Sequence, residues 1–228
     1  MQRNERRRLV GVLLCVLVLS ATTAPAAAAS NDDRFRVALD TEGDADVSVT
    51  YTYDLETDGE QAAFEELASN ETARQRLATR FENRMWAVAD GASNETGRDM
   101  AVGDATVETA DDDGVGTVTL SVRWENLAAV DGDRLTVTEP FASGFEPDRR
   151  FVVEAPDGYA VASATPAPSA SDDGRASWAA GSSLSGFELV AAGDDAGGGS
   201  TGDGAGFGSL LALAALAGAA LLARRHGP

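Results

Sequence analysis

The chain has 228 residues, 37 of them acidic and 18 basic, for a formal net charge of -19 at pH 7, which leaves room for one domain of ordinary size plus short accessory segments. Every basic residue is Arg and none is Lys, and so strong an acidic excess excludes nucleic acid as a partner, because phosphates would be repelled. An apolar content of 43% still supplies a core, and molar salt, which shortens the Debye length to about 3 Å, relieves the self-repulsion; the composition therefore points to halophilic adaptation ahead of an acidic mesophilic or partly disordered acidic domain.

Residues 1–29 open with Arg3, Arg6, Arg7 and Arg8, continue in the apolar run Leu9–Leu19 and end in the small-residue tract Ala21–Ala29. That is the layout of a secretory signal peptide, with cleavage expected between Ala29 and Ser30. Arg6-Arg7-Arg8-Leu9-Val10 also reads as a twin-arginine signal, an Arg-rich Sec signal being the alternative. Cys15, the only cysteine, sits in the apolar run, so the mature domain has no disulfide and no thiol nucleophile.

Residues 30–192 form the expected outer domain, within a segment 30–204 that holds 36 acids. Period-two alternation through Phe35, Val37 and Leu39, then Val47, Val49, Tyr51, Tyr53 and Leu55, predicts two strands with a turn at Thr41–Ala45. A helical stretch follows, with Asp58 as N-cap, Gln61 at capping-box spacing and Ala63, Phe64 and Leu67 on one side. After a turn signal at Ser69-Asn70, Ala73, Leu77, Phe81, Met85 and Val88 step by three and four until Gly91. This predicts a helical pair over about 58–90, or one helix kinked near Asn70. Strands return at Met100–Thr109 and Val115–Trp124, joined by a hairpin turn at Asp111–Gly114. Shorter ones are expected at Arg134–Thr138, Arg150–Glu154, Tyr159–Ala164, Arg175–Ala180 and Phe187–Ala191, separated by turns such as Pro156-Asp157-Gly158 and Ser171–Gly174. The predicted class is α+β: an antiparallel sheet or sandwich with the helical pair on one face. Trp86, Trp124 and Trp178 are expected as core anchors.

Residues 193–206 are half glycine, the rest Asp, Ser, Thr and Ala, and read as a flexible stalk. Phe207–Ala223 carries no charge and precedes Arg224-Arg225, which predicts a short membrane helix with 224–228 as a cytoplasmic tail and residues 30–204 outside. This ending resembles the PGF-CTERM sorting signal of archaeal surface proteins. Gly206 and Phe207 match its tripeptide, whereas Ala205 stands where the family has Pro. The resemblance implies cutting by an archaeosortase near the motif and a lipid anchor. Residues 30–190 are similar to an uncharacterised domain of secreted haloarchaeal proteins, on Val49-Thr50-Tyr51-Thr52-Tyr53, Glu139-Pro140-Phe141 and Pro156-Asp157-Gly158-Tyr159 followed by Ala164-Thr165-Pro166. That resemblance implies no known activity.

The only His is His226, so residues 30–204 contain no His, Cys or Lys. Catalytic triads, Cys-His dyads, Schiff-base lysines and His-based metal sites are all excluded there. Carboxylate chemistry survives, since glycoside hydrolysis needs only two acids, but aromatic residues at 6% are few for a sugar cleft. Asp111-Asp112-Asp113-Gly114 and Asp131-Gly132-Asp133 are better read as turns than as Ca2+ ligands, for they lack the calcium-loop spacing. Asn70-Glu71-Thr72 and Asn94-Glu95-Thr96 are acceptor sequons for the glycosylation machinery. Phe141 and Phe145, bracketed by Pro140 and Pro147, either present an apolar patch to a partner or tuck into the sheet. No cofactor is expected. The sequence favours a non-enzymatic envelope domain that contacts the bilayer and other envelope proteins. The alternatives are a sensory ectodomain working with a separate cytoplasmic regulator and a carboxylate-dependent glycoside hydrolase.

Overall fold

The computed structural model describes residues 33–172 and 174–193. Strands β1 (Arg34–Leu39) and β2 (Ala45–Asp54) form the predicted hairpin, with Phe35 opposite Val49, Val37 opposite Val47 and Leu39 opposite Ala45. Its turn is held by the Asp40 carboxylate, which accepts from the backbone N–H of Glu42 at 2.9 Å and of Asp44 at 3.0 Å. Gly43 has φ +88° there, and a Cβ would lie 2.8 Å from the Ala128 carbonyl oxygen, so only glycine permits this approach.

Helices α1 (Asp58–Ser69) and α2 (Glu71–Thr96) follow. Asp58 is the first helical residue, not the cap; Thr57 takes that place without a side-chain bond to the helix backbone. Asn70 separates the helices, and its side chain accepts from the Ala73 N–H at 3.1 Å to cap α2. Arg74 reaches back to the Leu67 and Ala68 carbonyls at 2.6 and 2.7 Å, satisfying the open end of α1. Helix α2 does not stop at Gly91. It runs to Thr96 and ends at Gly97, whose φ of +73° lets its N–H bond the Ser93 carbonyl at 2.8 Å. Ala89 and Ala92 continue the buried stripe, at 1% and 4% exposure, and that packing outweighs the roughly 1 kcal/mol that a mid-helix glycine costs. Trp86 is a second correction: it is 61% exposed, because it stands about 100° around the helix from the buried Met85.

The expected strand Met100–Thr109 is two strands, β3 (Ala101–Val102) and β4 (Thr106–Asp112), both antiparallel to β5 (Val115–Glu125). Asp111 and Asp112 belong to the ladder, and the turn is Asp113-Gly114 alone, at φ 47° and 83°, the positive values of a type I′ hairpin. The remaining strands are β6 (Ala129–Asp131), β7 (Arg134–Val137), β8 (Arg150–Glu154), β9 (Tyr159–Thr165), β10 (Ala170–Asp172), β11 (Arg175–Trp178) and β12 (Glu188–Gly193).

They build two sheets. One has eight strands in the order β10-β11-β8-β1-β2-β5-β3, with β4 also on β5; the other is β6-β7-β12-β9. The large sheet is not wholly antiparallel, since β1 and β8 are parallel, Phe35 beside Phe151 and Val37 beside Val153. The chain between them runs through the helices and half of the second sheet, a connection long enough for a parallel crossover. The register gathers Phe35, Val37, Val47, Leu120, Val122, Trp124, Phe151, Val153 and Trp178 on one face, all buried. Phe64, Phe81, Met85, Ala89 and Ala92 of the helices close part of this face, and Leu135, Val137, Leu189 and Ala191 of the small sheet belong to the same core.

Candidate functional site

The segment from Thr138 to Pro147 is a stitched plug. The Phe141 and Ala142 N–H groups donate to the Thr138 carbonyl at 3.0 and 3.2 Å, and the Leu184 and Gly186 N–H groups donate to the Phe145 and Ala142 carbonyls at 2.9 and 2.8 Å. Phe141 and Phe145 are 2% and 7% exposed. Phe141 meets Phe151 with ring centroids 4.8 Å apart and Phe187 at 5.6 Å, while Phe145 stands edge-on to Phe35 at 5.7 Å. Of the two alternatives in the sequence, the rings take the inward one, so they offer a partner no apolar patch. The Ser143 hydroxyl lies 2.8 Å from the Glu139 carboxylate and 3.1 Å from that of Glu95. This convergence of two acids ties the plug to the end of α2.

Beside the plug lies a cation–aromatic cluster that sequence reasoning missed. The Arg149 guanidinium sits 4.3 Å from the centre of the Tyr51 ring, with its side chain 11% exposed. Its Nε and Nη2 donate to the two Asp148 carboxylate oxygens, each at 2.8 Å, and its Nη1 is buried without a hydrogen-bond partner. The π-face of Tyr51 takes up part of that charge. Burial raises the Tyr51 phenol above its usual value, with Arg149 opposing; burial likewise raises Tyr53. The Asp148 carboxyl is lowered by its bond from Arg149, against some burial. Tyr51 and Tyr53 were visible as alternating residues, but no local signal links them to an Arg almost a hundred positions away.

Two ionic clamps hold the opposite face of the large sheet. Glu154 on β8 accepts from Arg36 Nε of β1 at 2.6 Å and from Arg175 Nε of β11 at 3.0 Å. Arg123 on β5 pairs with Asp40, with Asp44 at 3.2 Å and with Asp46 at 3.6 Å. Gly132-Asp133 is the β6–β7 turn, with Asp131 paired to Arg134, and among the described residues no three His, Cys, Asp or Glu are grouped to hold a metal ion.

Asn70 and Asn94 are both exposed, one capping α2 and the other in its last turns. The Asn70 amide nitrogen donates to Glu66 at 3.0 Å, and that of Asn94 to the Asp90 carbonyl at 2.7 Å. Ala29, Ser30, Ala205, Gly206 and Phe207, together with the predicted signal peptide, most of the stalk and the membrane helix, lie outside the described residues. Among the described residues no helix is long and apolar enough to cross a membrane.

Comparison with known proteins bears on both ends of this picture. No curated protein matches the chain. Residues 204–226 match the PGF-CTERM motif, the mark of a C-terminally anchored cell-surface protein of the kind an archaeosortase processes. Residues 36–159 match the model of a domain of unknown function, DUF7345. That match runs from β1 to the first residue of β9 and takes in both helices, Tyr51 and Arg149. It spans more than half of the sequence, and the chain belongs to the DUF7345 family.

Proposed function

We propose that the protein is a non-enzymatic envelope domain of a halophilic archaeon, held on the extracellular face of the membrane as a structural or interaction module. The observation that carries this reading is the sorting motif at 204–226 following a domain whose large aromatic residues, Trp86 apart, are mostly spent in its core. Phe35, Phe141, Phe145, Phe151, Phe187 and Trp178 are all buried against one another, so they do not serve as walls of a substrate cleft. The Arg clusters at both ends of the chain support an outer location for the acidic segment between them. Asn70 and Asn94 would carry glycans at the two ends of α2, clear of the core.

The test is recovery of the protein from intact envelopes in molar salt, with mass spectrometry of its termini, its glycans and its co-purifying partners. We expect an N-terminus at or near Ser30, a C-terminus near Gly206-Phe207 or an intact tail, and other envelope proteins in the eluate. A retained Met1 would overturn export. Recovery with a cytoplasmic regulator would favour the sensory reading, and glycan-cleaving activity that depends on named carboxylates would favour the hydrolase.

A further inference from the structure

We propose that the exposed face of α2 docks onto the anionic lipid headgroups of the bilayer to which the chain is anchored. This rests on the anchored reading above. Helix α2 has 26 residues, about 39 Å of length at 1.5 Å per residue, and it turns Phe81, Met85 and Ala89 inward. Its opposite face from Thr72 to Ala87 presents Arg76, Arg80 and Trp86 among uncharged residues, with no exposed carboxylate. Glu82, the one acid in that stretch, is half-buried and accepts from the Ala105 N–H at 3.2 Å. Exposed Glu71 and Asp90 bound this stretch; in a segment with 36 acids, four helical turns bearing two arginines and no exposed acid are a strong local exception.

Trp86 is the second observation. It is 61% exposed, while Trp124 and Trp178 are each 1% exposed. An indole has an apolar body and a polar N–H, which suits the boundary between water and headgroups. A shallow groove runs along Thr72, Gln75, Arg76, Thr79 and Arg80 on the same helix. Charge favours this orientation: Arg76 and Arg80 are drawn to lipid phosphates at the contact distances that salt leaves unscreened.

The length of the intervening chain favours lipid over a second copy as the occupant. The described domain ends at Gly193 and the sorting motif begins at residue 204, so even a fully extended connection spans only about 40 Å. Each anchored chain thus meets the bilayer surface intramolecularly, at high effective concentration, while a second copy must be found by lateral encounter.

The test uses the full chain reconstituted into phosphatidylcholine vesicles with and without phosphatidylglycerol, the lipids brominated near the headgroup. Because the other two tryptophans are buried, quenching of indole fluorescence reports Trp86. We expect about a two-fold quench in the anionic vesicles, at least halved in the double variant R76Q/R80Q and abolished in W86F, with circular dichroism unchanged in both. Co-flotation without quenching leaves the anchor intact and overturns the docking proposal. Failure to co-float overturns the anchored reading instead. Quenching that is equal in neutral vesicles, or that arises only with a cross-linked dimer, assigns the face to another contact and also overturns the proposal.

Discussion

One face of the eight-stranded sheet is closed in two unlike ways. Over β2, β4 and β5 lie the helices, a single run of chain from Asp58 to Thr96 that contributes Phe64, Phe81, Met85, Ala89 and Ala92. At β8, β1 and β11 the cover is aromatic and assembled from afar: Phe141, Phe145 and Phe187 converge on Phe35, Phe151 and Trp178. The helical cover needs few large side chains and leaves its outer surface free to vary, which is how Trp86 and two arginines come to stand in water. The aromatic cover has no such freedom, because most of its members touch several of the others. The difference teaches that stability and surface specialisation are lodged in different halves of the same core.

The largest expected effect lies at the centre of the aromatic half. Phe151 is fully buried and meets Phe35, Phe141, Phe145, Phe187 and Trp178. Phe151→Ala should cost about 3–5 kcal/mol, with the cavity unable to collapse among rigid rings. Met85→Ala, at 4% exposure on α2, should cost less, about 2–3 kcal/mol, because a helix held on one side can shift to fill the gap. Urea unfolding of both variants checks the ranking, and a Met85 change costlier than the Phe151 change would break the comparison. A smaller effect belongs to the start of α2. Asn70→Ala removes the side-chain cap on Ala73 and should cost about 1 kcal/mol, whereas Asn94→Ala on the exposed surface should stay within about 0.5 kcal/mol. Asn70→Asp keeps the cap while deleting the glycan acceptor, so melting curves separate the two roles of that residue.

The same division explains what the sequence made legible. The helical pair was readable because its stripe of Leu77, Phe81, Met85 and Val88 is local and periodic; its errors, Gly91 and Trp86, concern where the helix stops and which side of it a large residue takes. The β1–β2 hairpin and β5 were readable from alternation. The parallel pairing of β1 with β8 was not, since Phe151, Val152 and Val153 are all buried in succession and carry no alternation to show a neighbour or a direction. The inward turn of Phe141 and Phe145 was equally silent, because an aromatic loop between prolines has the same composition whether it packs or projects. The Arg149 cluster and the Glu154 clamp join residues from remote strands, and register rather than local pattern decides such contacts. At the C-terminal end the reverse holds: the sorting tail was legible from its resemblance to a known signal, Gly206-Phe207 before an uncharged run and an Arg pair, as the match at 204–226 bears out.

The ionic clamps extend the comparison to the other side of the sheet and give a small predicted effect. On the aromatic half one carboxylate, Glu154, serves two guanidiniums; on the helical half one guanidinium, Arg123, serves three carboxylates. Burial works to raise the Glu154 carboxyl, but the bonds from Arg36 and Arg175 outweigh it, and the net shift is downward. A carboxyl lowered in the folded state contributes stability above its unfolded value, and that contribution is lost as pH falls through the lowered folded value. Glu154→Gln should therefore reduce stability at pH 7, by less than about 1 kcal/mol because the pair is only partly buried. The gap between wild type and variant should close toward zero as the pH falls below the ordinary glutamate range, about 4.3. Urea melts at neutral and acid pH measure it. A gap unchanged in acid would mean that Glu154 acts through its shape and not its charge, and the clamp would lose its place in the comparison.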